Sequence, residues 1–200
     1  MKISKKIYSG LFPDGADKNK LQITDIGLYS ITPPKEAEFI SKIITIHSKK
    51  DAKNLVVTDA TAGMGGNSIS FAKHFQRVNA VEFSPLHCDI LQHNINAYDL
   101  KNVDVRCADY SIIFNDLQQD VIFMDPPWGG SAYKLIPKLY LYLGVYPIED
   151  LINKINHKFL VVVKAPMNLD LDYFMKNVKY RKIKKYKIRN YQVIAITGTP

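Results

Sequence analysis

Cysteine is scarce: the 200 residues hold Cys88 and Cys107 and no others. Two are too few for a disulfide framework or a zinc site, and a reducing, intracellular compartment is expected. No run approaches the roughly 18 apolar residues that a membrane-spanning helix needs. The opening residues MKISKKI carry charge but neither an apolar core nor a small-residue cleavage site, so they do not read as a secretory signal. Nothing repeats at a fixed period. Apolar residues at 46% and charged residues at 23% exclude disorder and a fibrous repeat. A single domain of this length buries about 70% of its unfolded surface and needs no staple.

Acidic residues are nearly missing from the end of the chain. Residues 151–200 hold 11 of the 27 basic residues but 2 of the 19 acidic ones, so the formal net charge of +8 is concentrated there. Lys179, Arg181, Lys182, Lys184, Lys185, Lys187 and Arg189 interleave with Tyr180, Tyr186 and Tyr191. Such a patch points to an anionic partner, nucleic acid first, or to a solvated strand surface.

What is present is an alternation. Residues 1–34 are polar, broken by Pro13-Asp14-Gly15 and Pro33-Pro34, and read as an arm before a single domain over 35–200. Apolar residues at Ala37, Ile40, Ile43 and Ile44 predict a helix. Strands are expected at 55–59, 78–82, 103–107, 120–125 and 159–163, with helices over 67–76, 85–97, 110–117 and 170–177 between them. A Leu- and Tyr-rich stretch over 133–156 reads as helical with breaks at Pro137 and Gly144–Pro147, its tyrosines lying in the core and at the rim. Two alternating strands, 181–188 and 191–197, close the chain around a turn at Arg189-Asn190. That order means a three-layer α/β domain with a mostly parallel sheet.

Ligands in such sheets bind beyond the carboxyl ends of the strands. Asp59 and the glycine loop with Thr61, Gly63, Gly65 and Asn67 follow the first strand. The spacing is not that of a pyrophosphate loop, and Asp59 would repel a phosphate but suits a cationic, amine-bearing ligand such as S-adenosylmethionine. Glu82, after the second strand, is expected to accept both ribose hydroxyls. Asp109, with Tyr110, is expected at the adenine amine, although Asp is also a favoured helix N-cap. After the fourth strand, Asp125-Pro126-Pro127-Trp128 would hold a carboxylate and the Pro126 carbonyl facing one exocyclic amine, with the indole as a stacking face. His47, His74, His87, His93 and His157 show no ligand spacing, and no metal is expected.

An Asp-Pro-Pro-aromatic motif with an acidic glycine loop resembles the class I amino-methyltransferases. The longer Asp125–Gly130 motif, the loop through Asn67 and Ser30-Ile31-Thr32-Pro33 together resemble the trimethylguanosine synthases, the RNA cap guanine-N2 methyltransferases. The resemblance implies a class I S-adenosylmethionine-dependent methyltransferase fold, with a seven-stranded, mostly parallel sheet ending in an antiparallel hairpin. It implies S-adenosylmethionine as cofactor and capped RNA as partner, with 7-methylguanine stacked on Trp128, Asp125 at the amine and Glu82 at the cofactor ribose. Ser30, Thr32, Lys164 and Asn168 join the expected substrate site. Two departures stand out: the arm is short, and Met167 follows Pro166 where the family carries a basic residue, so Lys164 is expected to take the cap phosphate contact. The expectation is a monomeric intracellular enzyme, cytoplasmic if the chain is viral. The alternatives are an N-methyltransferase of internal bases in rRNA, tRNA or DNA, and an inactive RNA-binding methyltransferase fold.

Overall fold

The structure, a computed structural model, describes residues 10–156, 158–179 and 181–198. Residues 1–9 of the expected arm, His157 and Tyr180 lie outside the described residues. The chain forms α1 (Gly27–Ser30), α2 (Pro34–His47), β1 (Val56–Asp59), α3 (Gly66–His74), β2 (Arg77–Glu82), α4 (Pro85–Ala97), β3 (Val103–Cys107), α5 (Tyr110–Ile113) and β4 (Val121–Met124). After a 3-10 turn at Gly130–Leu135 come β5 (Tyr142–Leu143), β6 (Tyr146–Pro147), α6 (Ile148–Lys154), β7 (Leu160–Pro166), α7 (Leu171–Asn177), β8 (Arg181–Ile188) and β9 (Tyr191–Gly198).

Seven strands make one sheet in the order β3-β2-β1-β4-β7-β9-β8, parallel except where β9 runs against both β7 and β8. This is the expected class I methyltransferase architecture. Every residue of β4 and β7 is buried because helices cover both faces. Val121, Phe123 and Val162 pack toward Ile40, Ile43 and Phe71 of α2 and α3. Their neighbours Ile122, Met124, Val161 and Val163 pack toward Leu151, Ile152 and Phe174 of α6 and α7. The order of the sheet reverses at β1, which lies between β2 and β4, so the switch point opens between the ends of β1 and β4.

Three expectations change. The segment before Pro34 is more than a polar arm from its tenth residue on: Phe12, Leu21 and Ile23 are buried against Ile69, Ile90 and Leu91. The stretch 133–156 is helical only at the 3-10 turn and in α6. Leu139, Leu141 and Leu143 are buried while Tyr140 and Tyr142 are exposed, a period of two that belongs to extended chain. Gly144 (φ 58) turns the β5–β6 hairpin. Finally, Cys88 and Cys107, too few for a framework, make one disulfide with their Cα atoms 5.6 Å apart. Glu82 and Cys107 are register partners, and α4 folds back so that Cys88 Sγ lies 3.2 Å from the Glu82 carbonyl oxygen.

No helix among the described residues is long and apolar enough to cross a membrane. None of their His, Cys, Asp and Glu side chains gathers in threes as a metal site.

Candidate active site

The loop leaving β1 carries the acidic half of the site. Asp59 is fully buried and accepts hydrogen bonds from Ser68 Oγ (2.7 Å) and the Thr61 backbone N–H (3.4 Å). Burial pushes its carboxyl up to about 7, and the nearby Asp125 and Glu82 carboxylates push the same way. A cation arriving here would reverse that shift. Glu82 ends β2, and its two oxygens accept from the backbone N–H groups of Gly63 and Ser84, both at 2.8 Å. Burial would raise its pKa, but His87 and these two donors outweigh it and hold the group below the ordinary glutamate range. Oε1 also faces His87 Nδ1 at 3.8 Å, while Oε2 keeps a further lone pair, so the clamp orients Glu82 without exhausting it.

Close approach explains the glycines. A Cβ on Gly66 would lie 2.6 Å from Ile31 and 3.1 Å from the Thr32 carbonyl, so only glycine lets residues 31–32 lie across the start of α3. A Cβ on Gly63 would meet nothing within 4 Å, which leaves open space beside Glu82. Asn67 is buried, its Nδ2 donating to Thr32 Oγ1 (3.0 Å), while its Oδ1 has no partner. An orphaned buried acceptor, two carboxylates and open space at the loop together fit a ligand with amine and ribose groups, as S-adenosylmethionine has.

The acceptor half lies at the ends of β4 and β7. Met124 and Val163 are register partners, so the next residues, Asp125 and Lys164, emerge side by side. Lys164 is buried, and its Nζ donates to Asp125 Oδ2 at 2.7 Å and to Thr32 Oγ1 at 3.0 Å. Lys164 is therefore turned inward, correcting its expected place at the cap phosphates: a lysine in the fully buried strand β7 reaches the nearest carboxylate rather than solvent. Burial pushes the Asp125 carboxyl above its ordinary value, against the pull of Lys164. The Asp125 backbone N–H donates to Thr61 Oγ1 (2.8 Å), joining the β4 turn to the β1 loop.

Trp128 is half-buried. Tyr133 meets it edge-on at 5.2 Å, Tyr191 lies 6.4 Å away, and Lys164 Nζ is 5.4 Å from its ring centre. Its Nε1 is buried without a partner. Space beside Gly129 and Gly130 is open, for a Cβ on either would meet nothing within 4 Å.

The remaining expected residues fall less centrally. Asp109 Oδ1 caps α5 through the Ser111 backbone N–H at 2.9 Å, and the Gly144 turn presses against its carboxylate. Tyr110 is a core residue whose hydroxyl donates to Gln119 (3.3 Å), so its side chain does not line the site. Ser30 is exposed at the end of α1. Asn168 Nδ2 donates to the carbonyls of Tyr133 and Ile136, bracing the loop beside Trp128. Met167 is exposed. Unforeseen participants are Ser68, His87, Tyr191 and Glu36. Glu36 accepts from the Tyr191 hydroxyl (2.8 Å) and pairs with Arg189 (3.3 Å). Burial first, then Glu36, pushes the Tyr191 phenol well up. Tyr191 reaches the site through the register of β9, and Glu36, Ser68 and His87 reach it from α2, α3 and α4, so only the assembled fold brings the four there.

Comparison with known proteins decides the family. The profile of the RNA cap guanine-N2 methyltransferases matches residues 54–196. The chain belongs to that family. It is 39% identical over 150 residues to an uncharacterized protein of Acanthamoeba polyphaga mimivirus, covering 72% of this chain and 59% of that one. It is 32% identical over 112 residues to the trimethylguanosine synthase of Schizosaccharomyces pombe (52% and 45% covered), and 26% identical over 172 residues to that of Saccharomyces cerevisiae (78% and 51%). This methyltransferase spans about half the length of these curated relatives. A solved precorrin-6y C5,15-methyltransferase from Geobacter metallireducens superposes with a TM-score of 0.63 at 18% identity, covering 94% of this chain and 98% of that one. An rRNA methylase from Streptococcus thermophilus reaches 0.54 at 12% identity, covering 84% and 99%. S-adenosylmethionine is the cofactor of this methyltransferase.

Proposed function

We propose that this methyltransferase methylates the exocyclic N2 amine of the 7-methylguanosine RNA cap, giving di- or trimethylguanosine caps. One observation carries the reading: the Asp125–Trp128 turn holds a half-buried carboxylate and a half-buried indole at the switch point, bonded to the loop after β1. When bound, S-adenosylmethionine would supply an electrophilic methyl carbon, to which the amine nitrogen bonds as the carbon–sulfur electron pair leaves on sulfur.

The chain's own residues prepare that amine. Lys164 takes Asp125 Oδ2, leaving Oδ1 for one amine N–H. The Pro126 carbonyl, held by two successive prolines, takes the other. Both donors engaged, the nitrogen lone pair is turned away from the ring, and Asp125 can receive the proton that the methylated nitrogen sheds. Trp128 stacks the base, and Asp59, Asn67 and Glu82 hold the cofactor's amine and ribose. Orientation of this kind accounts for much of the acceleration of an in-line displacement. The capped RNA would be met inside the cell, by a monomer.

Preference for the methylated cap tests the reading. A cationic base over indole gains about 1 to 2 kcal/mol over neutral guanine in a desolvated slot, or about 5- to 30-fold in affinity. Transfer should favour 7-methylguanosine caps by that margin and should not occur on internal guanines. Trp128→Phe should retain part of the activity with a smaller preference, and Trp128→Ala should lose cap binding while keeping cofactor binding. Equal rates on methylated and unmethylated caps would overturn cap specificity and favour an internal base as substrate.

A further inference from the structure

We propose that Lys164 is a positioning residue, which holds Asp125 ionised and turned so that one carboxylate oxygen faces the acceptor amine. The inference rests on the reading of Asp125 as the amine acceptor, and it gives Lys164 a task that the chemistry of methyl transfer alone does not require.

Four contacts fix the ammonium. Its Nζ donates to Asp125 Oδ2 (2.7 Å) and Thr32 Oγ1 (3.0 Å) and lies 4.9 Å from the Tyr191 ring centre and 5.4 Å from that of Trp128. Thr32 in turn receives Asn67 Nδ2 (3.0 Å), and Tyr191 is held by Glu36. The lysine is thus caged between two hydroxyl- or carboxylate-bearing elements and two aromatic rings, with 7% of its side chain exposed. A caged cation cannot follow a phosphate chain in solvent, but it can keep a buried carboxylate charged.

Asp125 needs such a partner. Its neighbours are otherwise acidic or weakly acidic: Asp59 at the end of β1 and Tyr191 on β9, with Glu36 of α2 and Arg189 behind the tyrosine. Burial favours the neutral acid, and Lys164 is the group that opposes it. A neutral Asp125 would present one oxygen as a hydroxyl donor and lose the ability to take both an N–H and, later, a proton.

The sign of the pH effect follows. Removing the ammonium raises the Asp125 pKa, so activity that needs the carboxylate fails at higher pH on the acid side. Lys164→Met should lower kcat by on the order of 10- to 100-fold, leave the KM for S-adenosylmethionine nearly unchanged, and move the acid limb of the kcat–pH profile up by about one unit or more. Lys164→Arg should recover part of kcat and most of the wild-type limb.

Because a half-buried carboxylate left without its cation can unfold the chain, Asp125→Asn and the Asp125→Asn/Lys164→Met pair complete the test. The double variant should be no slower than Asp125→Asn alone. Losses that multiply, or an acid limb that stays in place in a folded Lys164→Met protein, overturn the proposal. Trp128 is the single tryptophan, so its fluorescence also reads the pair in free protein without any RNA. A titration step in the wild type should vanish in Asp125→Asn and move up in Lys164→Met. No step that depends on Asp125 overturns the proposal, whereas that step together with absent cap methylation overturns the cap reading alone.

Discussion

Asp59, proposed to hold the cofactor's amine, is set against stability. Its buried carboxyl is raised to about 7, above its unfolded value. The stability it contributes is therefore complete below the unfolded pKa and is lost as pH rises through the folded one. Asp59→Asn keeps the shape and removes the charge. It should unfold about 1 to 3 kcal/mol harder than wild type at about pH 8, the gap closing toward about pH 4. Its affinity for S-adenosylmethionine should fall, and wild-type affinity should itself weaken as pH drops through about 7. Thermal melts and calorimetry across pH check both, and a less stable Asp59→Asn at high pH would show that the Asp59 carboxylate does not cost the fold stability. Glu82 is the opposite case, for its backbone clamp and His87 favour the ionised form already in the free protein.

Among the elements, the β5–β6 hairpin bears on the site from outside. Gly144 has φ 58, and a Cβ there would lie 2.2 Å from Ser111 Oγ and 2.8 Å from Asp109 Oδ2. The hairpin tip thus closes over the cap of α5. Gly144→Ala should cost about 1 to 2 kcal/mol through the positive φ and the displaced neighbours. If Asp109 meets the adenine amine, cofactor affinity should drop with it. A variant equally destabilised at a remote surface position should keep that affinity, and a Gly144→Ala protein that also keeps it would detach Asp109 from the cofactor. Leucine and tyrosine suit both the helical and the extended period, and in 139–143 the burial of Leu139, Leu141 and Leu143 at every second position decides for extended chain.

Across the whole molecule, the charge excess lies on one edge. Lys182, Lys184, Lys185 and Lys187 are exposed on β8, the outer strand of the sheet. The β8–β9 turn emerges beside Pro166, at the same edge as Trp128 and Asp125, since Tyr191 pairs with Pro166. On the proposed reading, a capped RNA leaving the site would run along this edge. Affinity for capped RNA should then fall steeply with salt, and replacing two of these lysines should reduce the log–log slope by about 2. A cap dinucleotide should show a much shallower slope. Equal slopes for the two ligands would make β8 an ordinary solvated strand.

The alternation of apolar runs with amphipathic stretches determined the three-layer sheet, because period-two and period-3.6 patterning specifies which elements can bury a face. Short motifs determined half of the candidate site for the same local reason: Asp59 and Glu82 end strands, the glycine loop and Asp125–Trp128 follow them, and strand ends converge in a parallel sheet. The partners of these residues were decided elsewhere. Lys164 entered the expected site through the family resemblance, as a phosphate contact, yet its pairing with Asp125 depends on β4 and β7 being neighbours in register. Tyr191 and Glu36 are 155 residues apart, and His87 and Ser68 reach their carboxylates only through helix rotation. Burial likewise belongs to the assembled fold, and with it the shifted acidities of Asp59 and Asp125, since desolvation depends on every layer that covers a side chain.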